Sequence, residues 1–285
     1  MDRYGWLTGP GWEEVEALLP TQRGRGGRWR DHRTVIDAVC WKYRTGAPWR
    51  DLPASFGPWQ TVYNRFRRWA RDGTWRTIWT ALQARADAVS EIDWLVSGDS
   101  TVVRAHQHAA GARVGQRLTG EPEDHAMGRS RGGLTTKVHL VADGRCRPLA
   151  LVLSAGQRND AVFFEAVMAR IRVPRPGPGR PRTRPEQVSA DRAYSSRAIR
   201  TYLRVRRIRA LIPEPIGQIT NRKRRGRAGG RPPGFDPEGY KIRNTVERCI
   251  ARLKQWRGIA MRTDKLALHF EAALTVAAIG IWART

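Results

Sequence analysis

The sequence predicts an α/β protein in which an all-helical N-terminal part precedes a mixed sheet covered by helices. Three observations carry that expectation. Nine of the 12 tryptophans fall in the first 90 residues, where apolar positions recur at helical spacing. From about residue 91 the period shortens to that of strands, in runs separated by turn residues. Beyond these runs strands and helices take turns, which suits a sheet with helices laid on it.

In the helical part, residues 1–90, Ile36, Val39, Cys40 and Tyr43 form one stripe and Val62, Phe66 and Trp69 another. Between them WRDLPASFG reads as a short helix and a turn. Pro58 sits where a first-turn proline is tolerated, and Gly73 where a helix would stop. Helix, short helix, turn, helix is the pattern of a helix-turn-helix unit, with a reader helix over 58–72. The outer face of that helix offers Gln60, Thr61, Asn64, Arg65 and Arg68. Such side chains reach base edges or phosphates in a major groove. They would equally make a solvated face on a small helical bundle.

In the second part, residues 91–285, strands are expected in DWLVSGDSTVV, TTKVHLVAD and PLALVLSAG. The stretch AVFFEAVMARI reads as a helix, and RVPRPGPGRPRTRP as a flexible or extended linker. Then come a strand ending in VSADRAY, the helix SRAIRTYLRVRRI and the short strand ALIPE. Residues 214–239 form a basic insertion that includes Arg222, Lys223, Arg224 and Arg225. A charge run of this kind is at least a solvated loop. Because it leads into the helix of Glu247, contact with phosphates is the preferred reading. The apolar run Ala272 to Ala283 is too short to span a bilayer and reads as a buried helix.

Charge narrows the partners. The net charge is +26 and the pI about 11.5, a surplus that draws polyanions. Arginine heavily outnumbers lysine, which base composition can favour, but that does not explain why acids fail to balance the two. Residues 91–285 carry net +20 and residues 1–90 only +6, so the sheet-bearing part is the more basic. Cys40, Cys146 and Cys249 are too far apart for a disulfide framework or a zinc spacing. The start MDRYGWLTGPGW lacks the charge and apolar run of a signal peptide. A cytoplasmic, nucleoid-associated protein is expected, with DNA as partner, no membrane and no small-molecule substrate.

Three acids stand out. Asp99 ends the apolar run WLVSGD and Asp191 ends QVSAD, and a carboxylate at a strand end is held rigidly where α/β layers place their sites. Each taken alone is as well explained as the start of a turn, where aspartate is favoured. Glu247 changes the balance. Tyr240, Arg243, Glu247 and Lys254 in YKIRNTVERCIARLK fall within roughly a 60° arc of one helix at about 100° per residue. Ile242, Val246, Cys249 and Leu253 form a separate apolar stripe suited to docking on the sheet. His106 and His108 are a possible ligand pair with no acid or cysteine beside them. A DNA contact or a structural role suits them better.

The Tyr, Arg, Glu and Lys spacing resembles the signature around the third acid of bacterial insertion-sequence transposases, in the groups named after insertion sequences four and five. The segments GDSTVVRAHQHAAGA, TTKVHLVADGRCRPLALVLSAGQRND, SADRAYSSRAIRTYL and FDPEGYKIRNTVERCIARLKQWRGIAMRTDK are similar too. The N-terminal PWRDLPASFGPWQTVYNRFRRW matches members of the insertion-sequence-five family, and residues 172–185 match least. The resemblance implies an RNase H-like catalytic domain with Asp99, Asp191 and Glu247 as catalytic and metal-binding residues. It implies Mg²⁺ as cofactor, with Mn²⁺ able to substitute, and a homodimer on DNA. Two Mg²⁺ ions about 3.5–4 Å apart serve an in-line displacement at phosphorus. Asp99 would bind both ions, Asp191 one and Glu247 the other, while Arg243 and Lys254 grip phosphates beside Tyr240. The enzyme would bind terminal inverted repeats, cleave DNA and transfer 3′-hydroxyl ends to target DNA. A DNA-binding regulator without catalysis and an RNase H-like nuclease without strand transfer are the rival readings.

Overall fold

The computed structural model describes residues 7, 9–21, 29–112 and 118–283. Trp6 and most of the stretch read against a signal peptide lie outside the described residues. The helical part consists of α1 (Pro10–Glu16), α2 (His32–Thr45), α3 (Trp59–Arg71) and α4 (Thr74–Ala88). Local chemistry sets their limits. The Asp31 carboxylate accepts the Thr34 N–H at 2.8 Å and so caps the start of α2. Gly46 ends α2 at φ 75°, a left-handed conformation that glycine adopts without strain. Where a short helix was expected before the reader, two 3₁₀ turns stand instead, Trp49–Asp51 and Ala54–Phe56. Pro48, Pro53 and Pro58 precede the two turns and α3, and their missing N–H groups leave no room for a longer helix.

The sheet follows. Its elements are β1 (Leu95–Ala105), a short α5 (Gln107–Ala110), β2 (Gly128–Ser130), β3 (Gly133–Ala142) and β4 (Pro148–Ala155). Next come α6 (Phe164–Ala169), β5 (Gln187–Ala190), α7 (Arg197–Val205), β6 (Arg209–Leu211) and α8 (Ile216–Arg224). The chain continues through α9 (Asn244–Lys254), α10 (Arg257–Ala260), β7 (Met261–Arg262) and α11 (Ala267–Trp282). β1 pairs antiparallel with β3, β3 antiparallel with β4, and β1 parallel with β5, which pairs parallel with β6. The path β4-β3-β1-β5-β6, with one reversed strand, is the order of an RNase H-like sheet, as the resemblance implied. β2 pairs with β3 beyond the end of β4, and β7 pairs with β1 beyond the end of β5.

One buried cluster runs through the helical part and the sheet. Its keel is α11, almost wholly buried, as its largely apolar sequence demands. The start of α11 is capped by Glu121, whose carboxylate accepts the N–H groups of Ala267 and Leu268 at 2.6 and 2.9 Å. α4 and α3 pack on α11, and α2 packs on α10. Polar contacts pin the same junction. Tyr43 donates its hydroxyl to Asp264 at 3.0 Å, and the buried Lys42 reaches Thr263 at 3.3 Å. No helix among the described residues is long and apolar enough to cross a membrane.

Two stretches differ from expectation. The presumed linker is closed by a backbone bridge between Val173 and Arg182, and the Arg182 guanidinium lies 4.0 Å from the ring centroid of Trp94. The basic insertion contains α8 and a 3₁₀ turn at Gly226–Gly229 rather than loop alone.

Two predictions concern stability. Tyr43→Phe should cost about 1–3 kcal/mol, because the half-buried Asp264 carboxylate loses a donor. An unchanged urea midpoint would refute the contact. His139, 1% exposed beneath Phe163, has its pKa pushed down to about 4 by burial, against an ordinary 6.5. The unfolded chain therefore takes up a proton below pH 6.5 that the folded chain refuses until about pH 4. Stability should fall by about 3 kcal/mol across that window from this group. His139→Gln, which keeps a partner for Ser154, should remove that part of the slope in urea titrations. The same slope in both proteins would contradict it.

Candidate active site

The register of the central strands brings two of the three acids together. β1 and β5 run parallel with Gly98 opposite Ala190, and there their pairing stops. Asp99 and Asp191 are the next residues on the two chains, close enough that the Asp191 charge raises the pKa of Asp99. Asp99 is not at a strand end as expected. β1 continues to Ala105 because β3 pairs with it along residues 97–104, so only its β5 neighbour ends there. Asp191 keeps an extended backbone, and its Oδ1 accepts the Ala193 N–H at 2.9 Å, which starts a 3₁₀ turn at Arg192–Tyr194.

Glu247 comes from α9, laid across one face of the sheet. Val246, Cys249 and Leu253 are buried against it, as the apolar stripe predicted. Tyr240 and Arg243, however, lie on a 3₁₀ turn, Gly239–Arg243, rather than on the helix itself. Ser97 holds this turn to β1 by donating its hydroxyl to the Ile242 carbonyl at 3.1 Å. Arg243 then bridges two acids, with Nη2 2.9 Å from Asp99 Oδ2 and Nη1 2.5 Å from Glu247 Oε1.

The electrostatics follow from this packing. Burial raises the pKa of Asp99, and the negative potentials of Asp191 and Glu247 raise it further. The Ser100 N–H and Arg243 work against them. Burial likewise lifts the Tyr240 hydroxyl, which feels Arg243 and all three acids. Lys254 donates to the Val102 carbonyl at 3.1 Å and is lowered by burial. It lies beside β1 in the interval between the β5 and β7 pairings. Tyr240 and Arg243 thus stand among the three acids, whereas Lys254 sits at Val102, three residues farther along β1 than Asp99.

The other expected contacts are scattered. Gln60, Asn64 and Arg68 are exposed on α3, but Arg65 is 7% exposed. Its Nη1 meets His32 Nδ1 at 3.1 Å and its guanidinium lies over Trp29 at 4.2 Å, so it faces inward. Lys223, Arg224 and Arg225 are exposed, whereas Arg222 is half-buried against Glu214 at 2.6 Å. His106 and His108 stack at 4.9 Å near the end of β1. Among the described residues no three His, Cys, Asp or Glu side chains are gathered closely enough to hold a metal ion as they stand.

The sequence reading missed a polar group behind the acids, on the opposite face of the sheet. Ser100 donates to Asp160 at 2.7 Å, and Lys137 lies 2.8 Å from the same carboxylate oxygen. The buried Tyr194 hydroxyl bonds to Ser100, and burial together with Asp160, Asp99 and Asp191 raises its pKa. The available signal was Asp160 at the end of QRND, directly after an apolar strand, as Asp191 follows QVSA.

Comparison with known proteins shows the family of the chain. A family model described as "Transposase DDE domain" matches residues 93–281, and one described as "Putative transposase of IS4/5 family" matches residues 7–79. "Uncharacterized protein y4sN" of Sinorhizobium fredii is 40% identical over 103 residues, 36% of this chain and 78% of that protein. "Putative transposase for insertion sequence element IS402" of Burkholderia cepacia is 30% identical over 154 residues, 54% of this chain and 65% of that protein. The solved Mos1 strand transfer complex overlaps with a TM-score of 0.27 at 13% identity, covering 91% of this chain and 78% of that one. An overlap so slight carries no argument. A DDE domain implies dependence on a divalent metal. With its family model spanning well over half the sequence, the chain belongs to the DDE transposases of the IS4/5 type and is a DNA transposase.

Proposed function

We propose that Asp99, Asp191 and Glu247 are the catalytic acids of this transposase and hold Mg²⁺, with Mn²⁺ able to substitute. The observation that carries the reading is the stop in β1–β5 pairing, which sets Asp99 beside Asp191 under the helix of Glu247. The donor set suits a hard cation, since all three side chains offer oxygen alone. Arg243 already stands as a cation between Asp99 and Glu247, and the raised pKa of Asp99 marks repulsion that positive charge relieves. A bound divalent cation supplies Lewis acidity at phosphorus and lowers the pKa of an attacking water or 3′-hydroxyl.

The side chains divide the remaining work. Asp99 and Asp191 sit on strands and keep their positions. Glu247, half-exposed, is free to turn from Arg243 toward Asp99. Arg243 then offers its donors to a phosphate, including a buried Nε with no partner. Lys254 grips a second phosphate beside β1, and Tyr240 packs against the strand being cut. The α3 face of Gln60, Asn64 and Arg68, with Lys223, Arg224 and Arg225, would bind the terminal inverted repeats. In this reading 1–90 recognises DNA, 91–285 cuts it and transfers its 3′-hydroxyl ends to target DNA, and a homodimer holds two ends.

Each of Asp99→Ala, Asp191→Ala and Glu247→Ala should lower cleavage of labelled end DNA by about a hundredfold or more. End binding should stay within about threefold of the unsubstituted protein, as expected for side chains outside the recognition surface. Full cleavage by any of the three would sink the assignment. With Mg²⁺, a joined product between end and target DNA is expected, and EDTA should abolish it. Cleavage without joining would favour a nuclease, and metal-independent binding alone a regulator.

A further inference from the structure

The end of the sheet farthest from Asp191 carries a concentration of arginine that the catalytic reading leaves unused. It lies where β5 and β6 begin, with Gln187 opposite Arg209. The hairpin closed by Val173 and Arg182 projects there, carrying Arg175 and Arg180, with Arg184 just after it. Arg204 and Arg207 come to the same end from the last turn of α7 and the turn into β6, because Arg206 donates to the Thr183 carbonyl at 2.8 Å. Arg175, Arg180, Arg184, Arg204, Arg207 and Arg209 are all exposed, and among the described residues none is in an ion pair. Asp87 and Glu186, beside the base of the hairpin, are both taken by Arg182.

This surface is held in shape. The hairpin base has two backbone hydrogen bonds, 2.9 and 2.8 Å, and Val173 is fully buried. Prolines at 174, 176, 178 and 181 stiffen what lies between. Unpaired like charges fixed side by side repel one another, and a regular array of phosphates relieves that repulsion.

We propose that this arginine-lined end is a second binding surface for duplex DNA, gripping its backbone several base pairs from the cut. The four residues of β5, at about 3.3 Å each, set it roughly 13 Å or more from Asp191. That distance is about four base pairs along a duplex at 3.4 Å per step. The surface rests on the reading of the chain as a DNA transposase but not on the catalytic acids, so it is tested by binding without divalent metal.

The variant Arg175→Ala/Arg180→Ala/Arg207→Ala is compared with the unsubstituted protein by fluorescence anisotropy. The probes are an end duplex stopping three base pairs either side of the cut, and duplexes extended by ten on the transposon or the flanking side. Affinity for the short duplex should stay within twofold. Affinity for at least one extended duplex should fall about tenfold, with the slope of log K against log salt reduced by about 2.7 for three lost contacts. The side that responds identifies which DNA is held. Equal affinity and slope on both extended duplexes would overturn the proposal, as would an equal loss on the short one. Should the triple variant melt early, Arg175→Gln/Arg180→Gln in the hairpin alone gives the same comparison, with a slope change of about 1.8.

Discussion

Everything in the candidate site depends on where two parallel strands stop pairing. β1 and β5 share hydrogen bonds only as far as Gly98 and Ala190. Had β5 continued, Asp191 would be a paired strand residue, its chain unable to turn away. Because β5 ends and β1 does not, one carboxylate keeps the rigidity of a strand held by β3 while the other heads a turn. The same stop exposes an edge of β1, along which Lys254 finds the Val102 carbonyl. Sheet register, helix docking and charge are therefore one arrangement.

Much of this was legible because it is local. The stripe Val246, Cys249, Leu253 announced a docked helix, and the runs of alternating or β-branched residues announced strands. What was not legible depends on partners remote in sequence. No local signal says that β3 will carry β1 five residues past Asp99, or that Trp94 will receive Arg182 and close a proline-rich loop. Arg65 is a different kind of miss. It stands three residues after Val62 and four before Trp69, so its spacing already placed it within the apolar stripe. Its charge argued for the outside, and only Trp29 and His32, arriving from another segment, make the inside tolerable. Tyr240 and Arg243 were assigned to the right neighbourhood through the wrong element, because residues three apart share a face in a 3₁₀ turn much as they do in an α-helix.

The residues behind the acids give the site a depth that a list of three carboxylates lacks. Asp160, Lys137, Ser100 and Tyr194 join β1, β3 and the turn after Asp191 on the face away from α9. A strand clamped from both faces has little freedom to shift when charge is added on one side. In a centre that gathers negative groups before any cation or phosphate arrives, such restraint limits how far repulsion can spread them.

The keel formed by α11 has a consequence for how the chain reaches its fold. α4 ends at Ala88 and its packing partner begins at Ala267, about 180 residues later. At translation rates of roughly 5–20 residues per second, the tryptophan-rich helices wait on the order of 10–40 s for the segment that covers them. During that interval their apolar faces are open to chaperones, to nascent neighbours and to proteases. Slower synthesis lengthens that interval, whatever the stability of the finished fold.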